Sequence, residues 1–170
     1  PRTGEFAGAE KTITGGGKLT IGPPPADVEA DWVALIERTD QPRFEPIDVS
    51  GFRDGIHHWR KIRDPKRVIH TLPEQATYAV DQVEEIAANI LRFQRANGGW
   101  PKDYDMLAVL TPEQQEVIRE THDRNDTSFD NYNIHSQVEY LARAYAAGGE
   151  EAWRDACARG FDFLLAAQLP

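Results

Sequence analysis

Two segments of the chain hold residue types that could meet a ligand. The first is Asn97-Gly98-Gly99-Trp100-Pro101-Lys102. Asn97 and Gly98 tolerate left-handed backbone angles and can stop a helix, and Pro101 blocks its restart. Trp100 is then left on a loop at a helix end, where its ring either meets a ligand or folds over the core. The second segment is Asp126-Thr127-Ser128-Phe129-Asp130-Asn131, followed by His135-Ser136-Gln137 and Tyr140-Leu141-Ala142-Arg143-Ala144-Tyr145. Asp130 and Asn131 stand at an expected helix start, where both side chains could simply cap backbone N–H groups.

Other reactive residue types are less informative. His57 and His58 are adjacent, so on a helix they point to different sides and do not pair on a metal; a solvated face is the expectation for both. His122 and His135 have no second His or Cys at ligand spacing. Cys157 is the only cysteine, which excludes an intramolecular disulfide and reads as a small core residue. Gly15-Gly16-Gly17 lacks the Gly-Lys-Ser/Thr ending of a phosphate loop.

The elements that must position these residues are helical. The 170 residues are 40% hydrophobic and 28% charged, values of an ordinary globular chain. The net charge of −9 argues against nucleic acid as a partner, and no apolar run approaches the ~20 residues of a membrane span. The chain begins at Pro1 and has no signal-peptide pattern. Residues 1–26 contain Gly15-Gly16-Gly17 and Pro23-Pro24-Pro25 and read as a tail or linker. Residues 27–39 read as a short helix, and 50–66 as a short helix around His57-His58-Trp59. Thr71 with Glu74 forms a capping-box pattern, from which a long helix is expected to run to Ala96 with Ala79, Val83, Ile86, Ala87, Ile90 and Gln94 as its stripe. Thr111, Pro112 and Gln114 start another. A third is expected over residues 131–147 and a fourth over 150–168. Alternating β-branched runs are few, so the fold class is all-α. Leu165-Ala166-Ala167-Gln168 echoes Leu91-Arg92-Phe93-Gln94, which hints at a repeat. Paired helices of this kind suggest part of an α/α toroid; two or three hairpins are too few to close one, so residues 27–170 are expected to be a toroid domain cut short at its C-terminal end.

From about Trp59 to Leu169 the chain resembles the pectate lyases of polysaccharide lyase family ten. Those enzymes carry Asn-Gly-Gly-Trp-Pro-Lys-Asn, then Thr-Ile-Asp-Asn-Gly-Ala-Thr, then a helix with Leu-Ala-Arg-Val/Ala-Tyr. The matching residues are Asn97 to Asp103, Ser128-Phe129-Asp130-Asn131 and Leu141-Ala142-Arg143-Ala144-Tyr145. Tyr132-Asn133-Ile134 replaces the family's Gly-Ala-Thr and adds bulk beside the expected site.

The resemblance implies calcium-assisted β-elimination of polygalacturonate (pectin), carried out outside the cell or in the periplasm. A base takes the C5 proton and the C4 glycosidic oxygen leaves. The calcium also answers the repulsion between an acidic protein and an acidic polymer. Asp130 is the expected metal- or substrate-site carboxylate. Asn131 is expected to position sugar or cation, Lys102 to meet a uronate carboxylate, and Trp100 to stack on a sugar. Asp103 and Asp105 could add oxygens or be solvated, and Asp126 could cap the turn before the motif. Arg143 reads as a structural ion-pair partner, and the arginine base is expected outside this chain. Two other readings remain open: a non-catalytic helical module that binds acidic polysaccharide, and a terpene-cyclase-like toroid, whose Gln-Trp motif Gln94 to Trp100 also resembles.

Overall fold

The computed structural model describes residues 44–168. The expected tail over 1–26 and the helix over 27–39 lie outside the described residues. Among the described residues there are five α-helices: α1 (Arg53–Lys61), α2 (Val83–Phe93), α3 (Pro112–Glu120), α4 (His135–Gly148) and α5 (Glu151–Ala167). A short 3-10 turn, Ser50–Phe52, leads into α1. No extended strand occurs among these residues, only the isolated bridges Thr77–Ala108 and Pro101–Thr127. The all-α reading holds. No helix among the described residues is long and apolar enough to cross a membrane.

Helices α4 and α5 form an antiparallel hairpin. Gly149, at φ 74°, ends α4 in the left-handed conformation, which glycine adopts without a Cβ clash. Helix α2 packs against α3, α4 and α5. Its spacing is the reason: Val83, Ile86, Ala87, Ile90 and Phe93 recur on one face, and all are buried. Burying side chains of this size contributes roughly 1.5–3 kcal/mol each for the larger ones. They meet Tyr140, Leu141 and Ala144 of α4 and Trp153 and Ala156 of α5 in one core. At Gly160 an added Cβ would lie 2.7 Å from Val138 Cγ2 and 2.9 Å from Trp100 Cζ3, so only glycine lets α5 approach this closely.

The start of α3 follows its local signal. Gln114 N donates to Thr111 Oγ1 at 3.2 Å and Thr111 N to Gln114 Oε1 at 3.0 Å, a reciprocal cap. Thr71 does not behave this way. Residues 71–82 are irregular, and α2 begins only at Val83. Tyr78 N donates to Leu107 O at 2.8 Å and Val109 N to Ala76 O at 2.9 Å. The segment therefore pairs across the chain instead of coiling, a tertiary contact that outweighs a weak local preference. Ala79 accordingly lies outside the helix. Gln94 sits just past its end, and its Nε2 donates to Gly98 O at 2.9 Å and to Ala156 O of α5 at 2.8 Å. The third expected helix starts at His135, four residues later than Asn131.

Candidate functional site

Trp100 to Asp105 and Ser128 to Ile134 lie side by side. Ser128 N donates to Trp100 O at 3.2 Å. Asn133 is buried and splits its amide between the carbonyls of Trp100 and Ser128, both at 2.7 Å. Its own Oδ1 accepts from Gln137 Nε2 at 2.7 Å, and Gln137 Oε1 accepts from Ile134 N at 2.6 Å. Buried amides paired at both ends make this loop a rigid unit tied to the first turn of α4. Its base is anchored by Arg95, a fully buried guanidinium that grips Asp126 through two bonds, at 2.7 and 2.9 Å. Asp126 is thus an ion-pair partner and not a turn cap.

Four non-glycine residues here have left-handed backbone angles: Asp103 (φ 69°), Asn131 (59°), Tyr132 (58°) and Ile134 (75°). Asn tolerates that region, whereas Tyr and above all β-branched Ile are strained in it. Strain of this kind persists only where surrounding contacts over-determine the backbone, and it gathers at binding sites.

The predicted site residues divide as follows. Lys102 Nζ lies 2.7 Å from Asp130 Oδ2, so these two, 28 residues apart, meet on the surface. The lysine beside it holds the Asp130 carboxyl below the usual carboxylate range, and Asp130 in turn raises Lys102. The Asp130 side chain is 61% exposed. It is not a helix cap: α4 begins five residues later, and its Oδ1 accepts only from the neighbouring Asn131 N at 3.0 Å. Asn131 donates its side-chain amide to Asp103 Oδ1 at 2.6 Å. Trp100 does not join them. It is 0% exposed, and its indole N–H donates to Ile90 O at 2.7 Å. With both faces packed in the core it offers no sugar a surface, because filling the gap behind Gly160 is where its large apolar area goes.

Asp103 and Asp105 are buried, not solvated. Asp105 pairs with Arg60 of α1, Nε to Oδ2 at 3.0 Å, and accepts from Leu107 N at 2.9 Å. The Asp103 carbonyl accepts from buried Arg67 at 3.1 Å, and its carboxylate stands 3.5 Å from His58 Nδ1. His58, half-buried on α1 and expected on a solvated face, therefore leans over the site, with Asp54 3.9 Å from its Nε2. Sequence reasoning missed His58, Arg67 and Asn133 because each bonds to a residue on another element, and it missed Gln137 because its bonds to nearby Asn133 and Ile134 form only in the strained turn before α4. The one local clue was the run of polar residues around the Asp-Asn pair. Arg143 forms an exposed pair with Glu139 one turn away, at 2.7 Å. Cys157 is buried on α5.

Chemically, the surface offers one ammonium and one carboxylate in contact, beside an amide fixed by a buried carboxylate. Beside the amide lies a hollow with room for about one water, lined by Gly51, Gly55, Asp103, Asn131 and Tyr132 among others, with Lys102 and Asp130 outside its lining. Among the described residues no group of three His, Cys, Asp or Glu side chains could hold a metal ion. Any cation would thus need ligands from beyond these side chains, since calcium takes six to eight oxygens.

A family model described as pectic acid lyase matches residues 94–170. The matched stretch runs from Gln94 through both site loops and α3 to α5, and leaves α1 and α2 outside. No curated protein and no solved structure matches the chain.

Proposed function

We propose that the Lys102–Asp130 surface binds uronate carboxylates and that the complete protein cleaves polygalacturonate by calcium-assisted β-elimination, as a family-ten pectate lyase built on an α/α toroid. The chain would supply the N-terminal part of the catalytic domain, acting outside the cell or in the periplasm. The observation that carries this reading is the contact at 2.7 Å between Lys102 Nζ and Asp130 Oδ2, which joins the two segments that resemble the lyases. The similarity of residues 94–170, which include both segments, to pectic acid lyases supports it.

Asp130 has the chemistry for a hard cation: an exposed carboxylate kept ionised by Lys102. It would hold calcium together with substrate carboxylates and water, so the cation site is completed by the uronide. Calcium bound there would supply positive charge to the uronate carboxyl group. Asn131, fixed by Asp103, orients a sugar hydroxyl or carboxylate beside it. Lys102 exchanges Asp130 for a uronate carboxylate and binds it as a point charge. The base, an arginine expected outside this chain, would take the C5 proton; the C5–H electron pair would form the C4–C5 double bond as the C4–O bond breaks, and the departing oxygen would take a proton from solvent.

The test incubates the protein, extended to its complete catalytic domain, with polygalacturonate with and without calcium. Absorbance from unsaturated uronides should grow only with calcium, and Asp130→Ala should remove most of it while leaving helicity intact. Calcium-dependent binding without turnover would indicate a carbohydrate-binding module instead. Lipid-like ligand binding without pectin binding would favour the cyclase-like toroid. Full activity in Asp130→Ala would remove that residue from the site.

A further inference from the structure

Tyr132 is an aromatic residue that the fold spends strain to expose. It is 65% exposed, although its backbone sits at φ 58°. The loop beneath it is rigid. Ser136 Oγ donates to Tyr132 O at 2.7 Å, and the Asn133 and Gln137 amides lock the residues that follow. The His135 ring meets Tyr132 edge-on at 5.7 Å. A large apolar ring held outward by a buried polar network has no role in the core, and burying it against a partner surface is favourable. Its position gives the partner. Tyr132 directly follows Asp130-Asn131, and it stands at the rim of the same water-sized hollow as Asp103 and Asn131.

We propose that Tyr132 is a stacking platform for a sugar ring of the uronide chain, next to the residues that read its carboxylates. This rests on the reading of the site given above, and it assigns the ring contact first expected of Trp100. Sugar rings have an apolar C–H face and a polar rim. Tyr132 would cover the face while Lys102, Asp130 and Asn131 meet the rim, so one ring is held by two kinds of force. Phe129 does not take this part as readily: it is 51% exposed, but its ring is already stacked on Phe163 at 5.4 Å.

Binding of polygalacturonate, measured calorimetrically with calcium present, tests the assignment. Tyr132→Ala should weaken binding about two- to tenfold, the range of a lost aromatic contact. Tyr132→Phe and Tyr132→Trp should bind within about twofold of the parent, because the ring and not the hydroxyl is used. The loss in Tyr132→Ala should persist at high salt, whereas the loss in Lys102→Met should shrink as screening replaces the ion pair. Tyr132→Gly suits the left-handed backbone and serves in place of Tyr132→Ala if that variant folds poorly. Parent-like affinity in Tyr132→Ala, or equal weakening in Tyr132→Phe, overturns the platform and leaves the lyase reading standing. A parent protein that binds no polygalacturonate overturns both.

Discussion

The Asn131 side-chain amide reaches Asp103 Oδ1 at 2.6 Å, and both residues hold left-handed backbones, at φ 59° and 69°. Each loop is thus bent where it touches the other. The contact joins two left-handed turns into one surface, with Asp130 and Lys102 carried beside it. The helical segment around α1 takes part through His58 and, by way of Arg67, the Asp103 carbonyl. The site is therefore assembled from more of the chain than the stretch similar to pectic acid lyases.

Asp103→Ala removes the buried acceptor of that amide. The Asn131 amide is half-buried, so losing this hydrogen bond should cost about 0.5–1.5 kcal/mol, and the urea midpoint should fall by a corresponding amount. Binding of polygalacturonate should weaken further than Asp103→Asn weakens it, since Asn retains an acceptor oxygen at the same place. Equal stability of Asp103→Ala and the parent would show that the contact does not hold the loops.

Asp126→Ala should be far more damaging than any exposed ion-pair change. It leaves the fully buried Arg95 guanidinium without its bidentate partner, a loss on the order of 3 kcal/mol when a buried pair is broken from one side. Arg143→Ala, which removes an exposed pair with Glu139, should stay within about 0.5 kcal/mol. Urea unfolding of the two variants side by side measures the contrast.

The Lys102–Asp130 pair has a defined pH response. Lys102 depresses the Asp130 carboxyl in the folded state. A depressed acid stabilises the fold above its unfolded value, and that contribution is lost as pH falls through the folded value. The pair should therefore persist through neutral pH and open only in acid below the usual carboxylate range. Carbon-detected NMR titration of Asp130 should show its midpoint move upward in Lys102→Met. An unchanged midpoint would mean that the ammonium is not its partner in solution.

The order of the helices was legible in the residues themselves. The Thr111–Gln114 cap, the left-handed stop at Gly149 and the Ile86, Ala87, Ile90 stripe each depend on neighbours within about four positions. So do the types of residue at the site: Lys102, Asp130 and Asn131 were readable as charged and polar groups on turns. The same local logic misread Thr71 as a helix cap and Asn131 as the first residue of α4. After Thr71, Ala76 O and Tyr78 N are paired with Val109 and Leu107, about thirty positions away, and near Asn131 buried amides hold the chain in strained turns.

What the order of residues determined by itself was therefore the all-α class, most helix ends and the presence of two polar turns. Tertiary packing alone decided that Trp100 is core, that Asp103 and Asp105 are buried and bonded, that His58 faces the site, and that Tyr132 stands outward. The physical reason is range. Capping and periodicity are set by atoms one turn away along the chain, whereas burial and the pairing of Asn131 with Asp103 are set by which distant segments pack together, and no local pattern encodes that.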